Sequence, residues 1–421
     1  MSHDIEFLYA RFLLSNGVSI DTRTIEKDNL FVAVSGPNFN ANRFAAEALE
    51  KGASYAIVDD KDYHDGEKTI LVPNGLKALQ ELATYHRQRF KRPVIGITGS
   101  NGKTTTKELL RAVLQQKFIV HSTKGNYNNH IGVPLTLLHI HPQVEVAVIE
   151  MGANRVGDIA ELCSYAKPTH GLITNIGKAH TETFGGVEGI IRGKSELYDY
   201  LLKSCGKVFI NYLDPVLSNM AKRFKEAEIY PQDDLKLLKH HPHLEFQINE
   251  SQHETQLIGK YNFSNIAAAI SVGRHFEVGD DKIADAIKNY KASNARSQVI
   301  RKNGTTILLD AYNANPDSMK VALEGLSEYE GNRVAILGDM NELENEDDEH
   351  KRLLDFARSL GIEQVFTVGQ KIGKVANPAY HYATKEALQK TLEHVDFRGN
   401  TVLLKASRSI QLEKMLDFIA S

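Results

Sequence analysis

Residues Pro93 to Leu114 constrain this chain more than any other stretch. The apolar run Pro93–Ile97 predicts a buried strand, and the periodic segment Glu108–Leu114 predicts a helix. Between and around them runs Gly96-Ile97-Thr98-Gly99-Ser100-Asn101-Gly102-Lys103-Thr104-Thr105-Thr106-Lys107-Glu108. A strand, a tight turn and a helix in that order aim free backbone N–H groups and a helix N-terminus at one point, which suits polyphosphate. Lys103 would add a mobile charge for the β and γ phosphates, and the Thr104 hydroxyl a ligand for Mg²⁺. The usual pattern has Gly, four residues, then Gly-Lys-Ser/Thr. Here Ile97 holds the first glycine position and Gly96 stands one place early. An ordinary glycine-rich turn would look the same locally.

A chain of 421 residues is too long for one core and predicts two to four domains. Its net charge of −3 gives no overall electrostatic case for nucleic acid or an anionic membrane. No apolar run approaches the roughly 20 residues of a transmembrane helix. The start, Met1-Ser2-His3-Asp4, lacks the basic region and apolar core of a signal peptide. Cys163 and Cys205 are too few for a disulfide framework or a Cys-rich zinc site. These features predict a soluble cytoplasmic protein.

Three blocks separate along the chain. Up to about residue 88, short strand-like runs (Leu30–Val34, Tyr55–Val58, Ile70–Val72) mix with helical patterns at Phe44–Lys51 and Leu76–Phe90. The step Lys91-Arg92-Pro93 ends the last of these, because the residue before proline avoids α geometry. From there to about 295, strands at Val94–Thr98, Val144–Ile149, Gly171–Asn175 and Val208–Asn211 alternate with helices such as Val187–Lys203. That alternation predicts an α/β fold with a mostly parallel sheet covered by helices. A polar linker, Tyr290 to Ser297, leads to a third alternation with strands Thr306–Asp310, Val334–Leu337, Gln364–Val368 and Thr401–Lys405. It reads as a small Rossmann-type unit.

Ligands of open α/β sheets sit beyond the carboxyl ends of the strands, and polar residues gather at those ends here. Val144–Ile149 delivers Glu150, readable as a Mg²⁺ ligand or as a strand-end or capping acid. Thr174-Asn175-Ile176-Gly177-Lys178-Ala179-His180 follows another strand, so His180 is a candidate ligand or a hydrogen-bonded surface histidine. Lys194 falls inside a helical pattern, where a lysine is ordinarily solvated. Asn262 and Asn265, three apart at the start of an Ala-rich helix, share one face, for nucleobase recognition or N-capping. Asp310 opens a polar loop containing Tyr312, Asn313 and Asn315 before Pro316, and Arg296 in the linker could reach a phosphate. His240-His241-Pro242-His243 reads as a solvated loop, and the acidic run Glu342–Glu349 as an exposed face.

Taken in order, these segments resemble the ATP-dependent Mur ligase superfamily. The resemblance rests on the 96–108 loop, Thr123–Asn129 through Gly132–Thr136, Glu150–Ala153, Thr174–His180, the helix at Lys194 and Asn262/Asn265. Asp310–Met319, Leu337–Leu343 and Leu404–Arg408 complete it. Gly125–Asn129 and Asp310–Met319 look specific to members that join D-alanyl-D-alanine to UDP-N-acetylmuramoyl-tripeptide. The resemblance implies an N-terminal UDP-substrate domain at 1–90, a central ATPase domain at 91–295 and a Rossmann-like C-terminal domain at 296–421. It implies ATP and Mg²⁺, with Gly99, Ser100, Asn101, Gly102, Lys103, Thr104 and Thr105 around the phosphates. Thr104 and Glu150 would hold one Mg²⁺; His180 and Lys194 would serve a second metal region, Lys194 as a carbamate. A carbamate turns a cation into an oxygen-donor anion. Lys103, His180 and Lys194 are the implied catalytic groups. Asn262 and Asn265 would face the adenine, and Arg296 and Asp310 would reach ATP.

Substrate contacts would come from Ser19, Thr22 and Arg23, from Asn126, Tyr127, Asn128 and Asn129, and from Tyr312, Asn313 and Asn315. Partners would be the UDP-tripeptide and the dipeptide, with no nucleic acid, for a chain acting as a monomer. The sequence departs from the family pattern at Asn40 and Asn42, at Tyr261 where histidine is common, and at Ala406 where glycine is usual. A sister ligase adding one amino acid, a folate-type glutamate ligase, a nucleotide switch and a small-molecule kinase are the competing readings.

Overall fold

A computed structural model describes residues 4–292, 295–393 and 395–419; Ser293 and Asn294 of the expected linker lie outside the described residues. Among the described residues no helix is long and apolar enough to cross a membrane. The first sheet is wholly parallel and runs in chain order: Val18–Ser19, Leu30–Val32, Tyr55–Val58 and Thr69–Leu71. Helix Gly75–Arg89 follows, capped by the Asn74 side chain, which accepts from the Lys77 amide. Its Leu79 and Leu82 share one core with Val133, Leu137, Ile159 and Leu162 of the next unit. Buried Arg87 donates to the carbonyls of Ala166 and Lys167, at 2.6 and 2.7 Å, and so closes helix Asp158–Ala166.

The second sheet has six parallel strands in the spatial order Glu228–Tyr230, Lys207–Asn211, His170–Ile173, Val94–Thr98, Val146–Glu150 and Val120–Ser122. Val94–Thr98 is buried at every position, as a central strand covered on both faces must be. Ile97 pairs with Glu150 on one side and with Leu172 on the other. The chain leaves this strand in one direction and returns on both sides of it, so the sheet's topological switch point lies here. Register alone therefore brings the loops after Thr98, Glu150 and Ile173 to one place.

The third sheet is ordered Gln298–Lys302, Thr305–Leu309, Asn400–Lys405, Asn332–Gly338, Gln364–Val368 and His381–Tyr382, parallel except for its first strand. Asn303 and Gly304, at φ of 51° and 81°, turn that antiparallel hairpin as a type I′ pair requires.

The elements Tyr55–Val58, Val94–Thr98, Val187–Lys203 and Gln364–Val368 have the expected bounds, and the helix expected from Glu108 begins five residues earlier, at Lys103. Three features depart from expectation. Helix Ile5–Leu13 precedes the first strand. Strands Leu235–Lys239, Glu245–Ile248 and Ser251–Glu254 form an antiparallel meander inside the otherwise parallel unit. Its exposed Lys236, Leu238 and Lys239, and a last strand of Ser-Gln-His-Glu, give no clean apolar alternation. His240-His241-Pro242-His243 is the turn of that meander and is not simply solvated. His240 bonds the Glu328 carboxylate at 2.9 Å, and His241 packs edge-on against Tyr329, beyond helix Pro316–Ser327.

Candidate active site

The turn after Val94–Thr98 is held open by its neighbours. Gly99 lies at φ +141°, and a Cβ there would fall 2.0 Å from Thr174 Oγ1, so only glycine fits. The Ser100 amide donates to the Asn175 carbonyl, and the Asn101 amide to Asn175 Oδ1. Ser100 Oγ exchanges bonds with the Gly177 backbone at 2.9 Å in each direction. Gly102, at φ +78°, starts helix Lys103–Leu114. The first intrahelical amide is that of Thr106, bonded to the Gly102 carbonyl at 2.8 Å. The amides of Lys103, Thr104 and Thr105 thus face outward from the helix start, with its positive dipole end. Lys103 Nζ donates to the carbonyls of Gly99 and Ser100 at 2.6 and 3.0 Å. Burial pushes its ammonium down to about 8, against the opposing pull of Glu150.

Thr104 Oγ1 donates to Glu150 Oε1 at 3.2 Å, and Asn128 Nδ2 donates to the same oxygen at 2.8 Å. Glu150 Oε2 is buried without a hydrogen-bond partner among the described residues; Lys107 Nζ stands 3.8 Å away. A buried carboxylate oxygen left over beside a hydroxyl is an oxygen-donor set that suits Mg²⁺, which takes few protein ligands when phosphates supply the rest. No group of three or more His, Cys, Asp or Glu side chains among the described residues could hold a metal alone.

His180 is left-handed, at φ +61°, and its Nδ1 meets the Glu342 carboxylate of the third unit. The acidic run is thus not only a solvated face: Glu342 reaches His180, and Glu346 and Asp347 meet Lys371 and Lys374. The Glu342 carboxyl is held below its ordinary range by the bond to His180. Lys194 is 1% exposed, with Nζ 3.3 Å from the Ala153 carbonyl and 5.2 Å from the Phe184 ring. Burial, then the nearby Lys103 charge, drives its ammonium far below the usual lysine range.

Asn262 and Asn265 are buried together. Asn265 Nδ2 donates to Asn262 Oδ1 at 2.8 Å, Asn265 Oδ1 accepts from Thr106 Oγ1 at 3.0 Å, and Asn262 Nδ2 donates to the Ile258 carbonyl at 2.8 Å. A Cβ at Gly102 would lie 2.6 Å from Asn265 Oδ1. The pair braces the start of helix Lys103–Leu114, and neither residue caps its own helix.

From the third unit, the loop after Thr305–Leu309 closes over this region. Asn315 Nδ2 donates to Asn101 Oδ1 at 2.8 Å, and Asp317 Oδ2 accepts from the Lys178 amide at 2.6 Å. Asn315 and Ser318 form a capping box, with Pro316 in the first turn. Arg296 stacks on Tyr312 at 3.7 Å, and its buried Nε has no hydrogen-bond partner among the described residues. Asp310 Oδ1 accepts from the Ser297 amide at 3.1 Å, and Asp310 Oδ2 from Lys405 Nζ at 2.5 Å.

One cavity of about 660 Å³ joins these groups. Of the expected residues, Ser100 to Thr105, Asn126, Asn128, Asn129, Glu150, His180, Asn262, Asn265, Arg296, Asp310, Tyr312, Asn313 and Asn315 line it. Gly99 and Lys194 stand behind the wall. Tyr127 points to solvent, while Asn129 Oδ1 accepts from the Gly132 amide at 2.8 Å, just ahead of helix Gly132–Leu138. Ser19, Thr22 and Arg23 lie apart, at the carboxyl edge of the first sheet, where Asp21 caps their short turn and pairs with exposed Arg23. Lys405, Asn175 and Asp317 also line the cavity and were not among the expected site residues. Lys405 and Asn175 stand at or just past strand ends, the signal that singled out Glu150.

A glycine-held turn at a helix start, an oxygen-donor pair and a third unit packed onto them thus meet in one cavity, an arrangement suited to a nucleotide. The Mur ligase middle domain profile matches residues 97–273, and the profile described as Mur ligase, glutamate ligase domain matches 295–408. The chain belongs to the Mur ligase family. It is 35% identical to the UDP-N-acetylmuramoyl-tripeptide–D-alanyl-D-alanine ligase of Bacillus subtilis (strain 168), over 96% of this chain and 93% of that one. It superposes on MurF from Acinetobacter baumannii with a TM-score of 0.87 at 27% identity, covering 100% of this chain and 99% of that one. MurF from Thermotoga maritima in complex with ADP gives a TM-score of 0.84 at 30% identity, covering 97% and 98%.

Proposed function

We propose that this chain is a UDP-N-acetylmuramoyl-tripeptide–D-alanyl-D-alanine ligase that makes the UDP-linked pentapeptide precursor of peptidoglycan at the expense of ATP. Full-length likeness to the Bacillus subtilis ligase supports the substrates, and likeness to an ADP complex supports the nucleotide. The single observation that carries the reading is the phosphate turn lying directly beneath the 310–318 loop of the third unit. Residues 1–90, 91–295 and 296–421 are taken as the UDP-substrate, ATPase and ligase domains.

In this reading a tripeptide carboxylate oxygen attacks the γ-phosphorus of ATP. The bond to the β-γ bridging oxygen breaks, giving ADP and an acyl phosphate. The dipeptide amine then attacks the acyl carbon, loses its proton and expels phosphate as the amide forms. Such transfers need positioning and charge neutralisation more than covalent help. Lys103 and the outward amides of 103–105 hold the phosphates. Thr104 and Glu150 would hold Mg²⁺, which screens the phosphate charge when bound. Arg296 and Asp310 reach the nucleotide from the hinge and third domain, and Tyr312, Asn313 and Asn315, with Asn126, Tyr127, Asn128 and Asn129, flank the peptide substrates. Ser19, Thr22 and Arg23 serve the uridine end. His180 and Lys194 serve the second metal region. The neutral amine is the form that adds CO₂, so burial that disfavours the Lys194 ammonium supports the carbamate.

Lys103→Ala tests the assignment. It is expected to cut ligation by at least about a hundredfold while leaving UDP-tripeptide binding intact, as loss of a phosphate-clamping charge should. Full ligation by that variant would contradict the phosphate-loop role.

A further inference from the structure

We propose that Lys405 is a positioning residue for the nucleotide half of the reaction, holding Asp310 and the 310–313 segment against the hinge. The proposal rests on the ATP reading above, in which Asp310 reaches the nucleotide.

Lys405 ends strand Asn400–Lys405 and is 1% exposed. Its Nζ finds three oxygens, all within four residues: Asp310 Oδ2 at 2.5 Å, the Asn313 carbonyl at 3.3 Å and the Asp310 carbonyl at 3.4 Å. The lysine therefore staples a loop to the sheet, with Tyr312 in the middle of the stapled turn. Tyr312 is the platform on which Arg296 stacks. The other Asp310 oxygen takes the Ser297 amide, and Ser297 Oγ meets Tyr261 OH at 2.6 Å. Tyr261 immediately precedes Asn262, so an unbroken polar path runs from the last strand, through the hinge, to the helix that braces the phosphate turn.

Sheet stability is a weak reason for this pair. Burying the Lys405 ammonium costs much of what its attraction to half-buried Asp310 returns, and an apolar residue would hold the strands as well. The register Leu309–Leu404 already joins these strands by their backbones. What the ammonium adds is a fixed direction for one carboxylate and one loop.

The test uses the full chain carrying Lys405→Met, Asp310→Asn, and both together, with KM measured separately for ATP, UDP-tripeptide and dipeptide. Losing a buried charge partner is expected to raise the ATP KM about tenfold or more in Lys405→Met, by a larger factor than the dipeptide KM, which the stapled Tyr312 and Asn313 also touch in the reading above. The double variant carries no uncompensated buried charge, so it folds even where a single variant, Asp310→Asn with its stranded Lys405 ammonium above all, does not. Its ATP KM is expected to equal that of Asp310→Asn, because Lys405 acts through Asp310. A normal ATP KM in Lys405→Met, or a double variant several-fold worse than Asp310→Asn, would overturn the proposal. A normal ATP KM in Asp310→Asn would overturn it together with the role of Asp310. A defect in Asp310→Asn beside normal Lys405→Met would sink the lysine alone.

Discussion

Asn265→Ala distinguishes a residue that reads the adenine from one that braces the phosphate turn. The substitution removes two neutral buried hydrogen bonds, to Thr106 Oγ1 and to Asn262 Oδ1. Each contributes about 1 kcal/mol, and stranding a buried hydroxyl adds about 1–3 kcal/mol more. The Thr106 hydroxyl has a fallback in the Gly102 carbonyl one turn back, which limits the second cost. Alanine also restores a few tenths of a kcal/mol of helix propensity. The net loss is about 2–4 kcal/mol, read as a lower urea midpoint. Felt at the loop, 1–2 kcal/mol weakens phosphate binding by about 5- to 30-fold. Competition with ADP and with tripolyphosphate, which has no base, reads this out. The bracing account predicts that both weaken by the same factor. An unchanged tripolyphosphate constant beside a weakened ADP constant would refute it and restore the adenine contact.

Gly99→Ala places a methyl 2.0 Å from Thr174 Oγ1 in a left-handed turn, so it should cost about 2 kcal/mol or more and abolish ligation; appreciable activity would contradict the tight turn. Lys103 is expected to leave a pH signature, because its folded value of about 8 lies below the usual 10.5. Between those pH values the unfolded chain binds the extra proton, so stability rises with pH across that window and falls back as pH drops toward 8. Lys103→Met should lack that rise, and identical urea-midpoint profiles from pH 7 to 11 would contradict the burial. For Lys194, ¹³C-bicarbonate should give a carbamate carbon resonance in the wild type that is missing from Lys194→Ala; no such resonance in the active enzyme would remove the carbamate.

Much of the central unit was legible because buried parallel strands are written as unbroken apolar runs, and Val94–Thr98 is the plainest case. The turn after it was legible because glycine is the residue that tolerates φ of +141° and +78°. Glu150 and His180 followed from the strand-end rule. The meander at 235–254 was hidden because Leu235–Lys239 exposes Leu238 and breaks the apolar alternation, and Ser251–Glu254 carries no apolar residue at all. Asn262 and Asn265 were placed correctly on one face, yet their partners come from Thr106 and Ile258, which no local pattern reveals. Glu342 looked like one acid in a solvated run until the third unit's placement brought it to His180. Lys405 was masked by its own strand: an apolar run ending in lysine reads as a strand meeting solvent, and only the Asp310 loop folding back makes it buried.

Phosphate release from ATP and Mg²⁺, with the UDP-tripeptide or D-alanyl-D-alanine omitted in turn, is the most direct test of the ligase assignment. The account predicts release only when both are present, with a product heavier than the UDP-tripeptide by the dipeptide less one water. Release that ignores the dipeptide but responds to a single amino acid or another amine would contradict the substrate assignment, while leaving the fold and the phosphate turn in place.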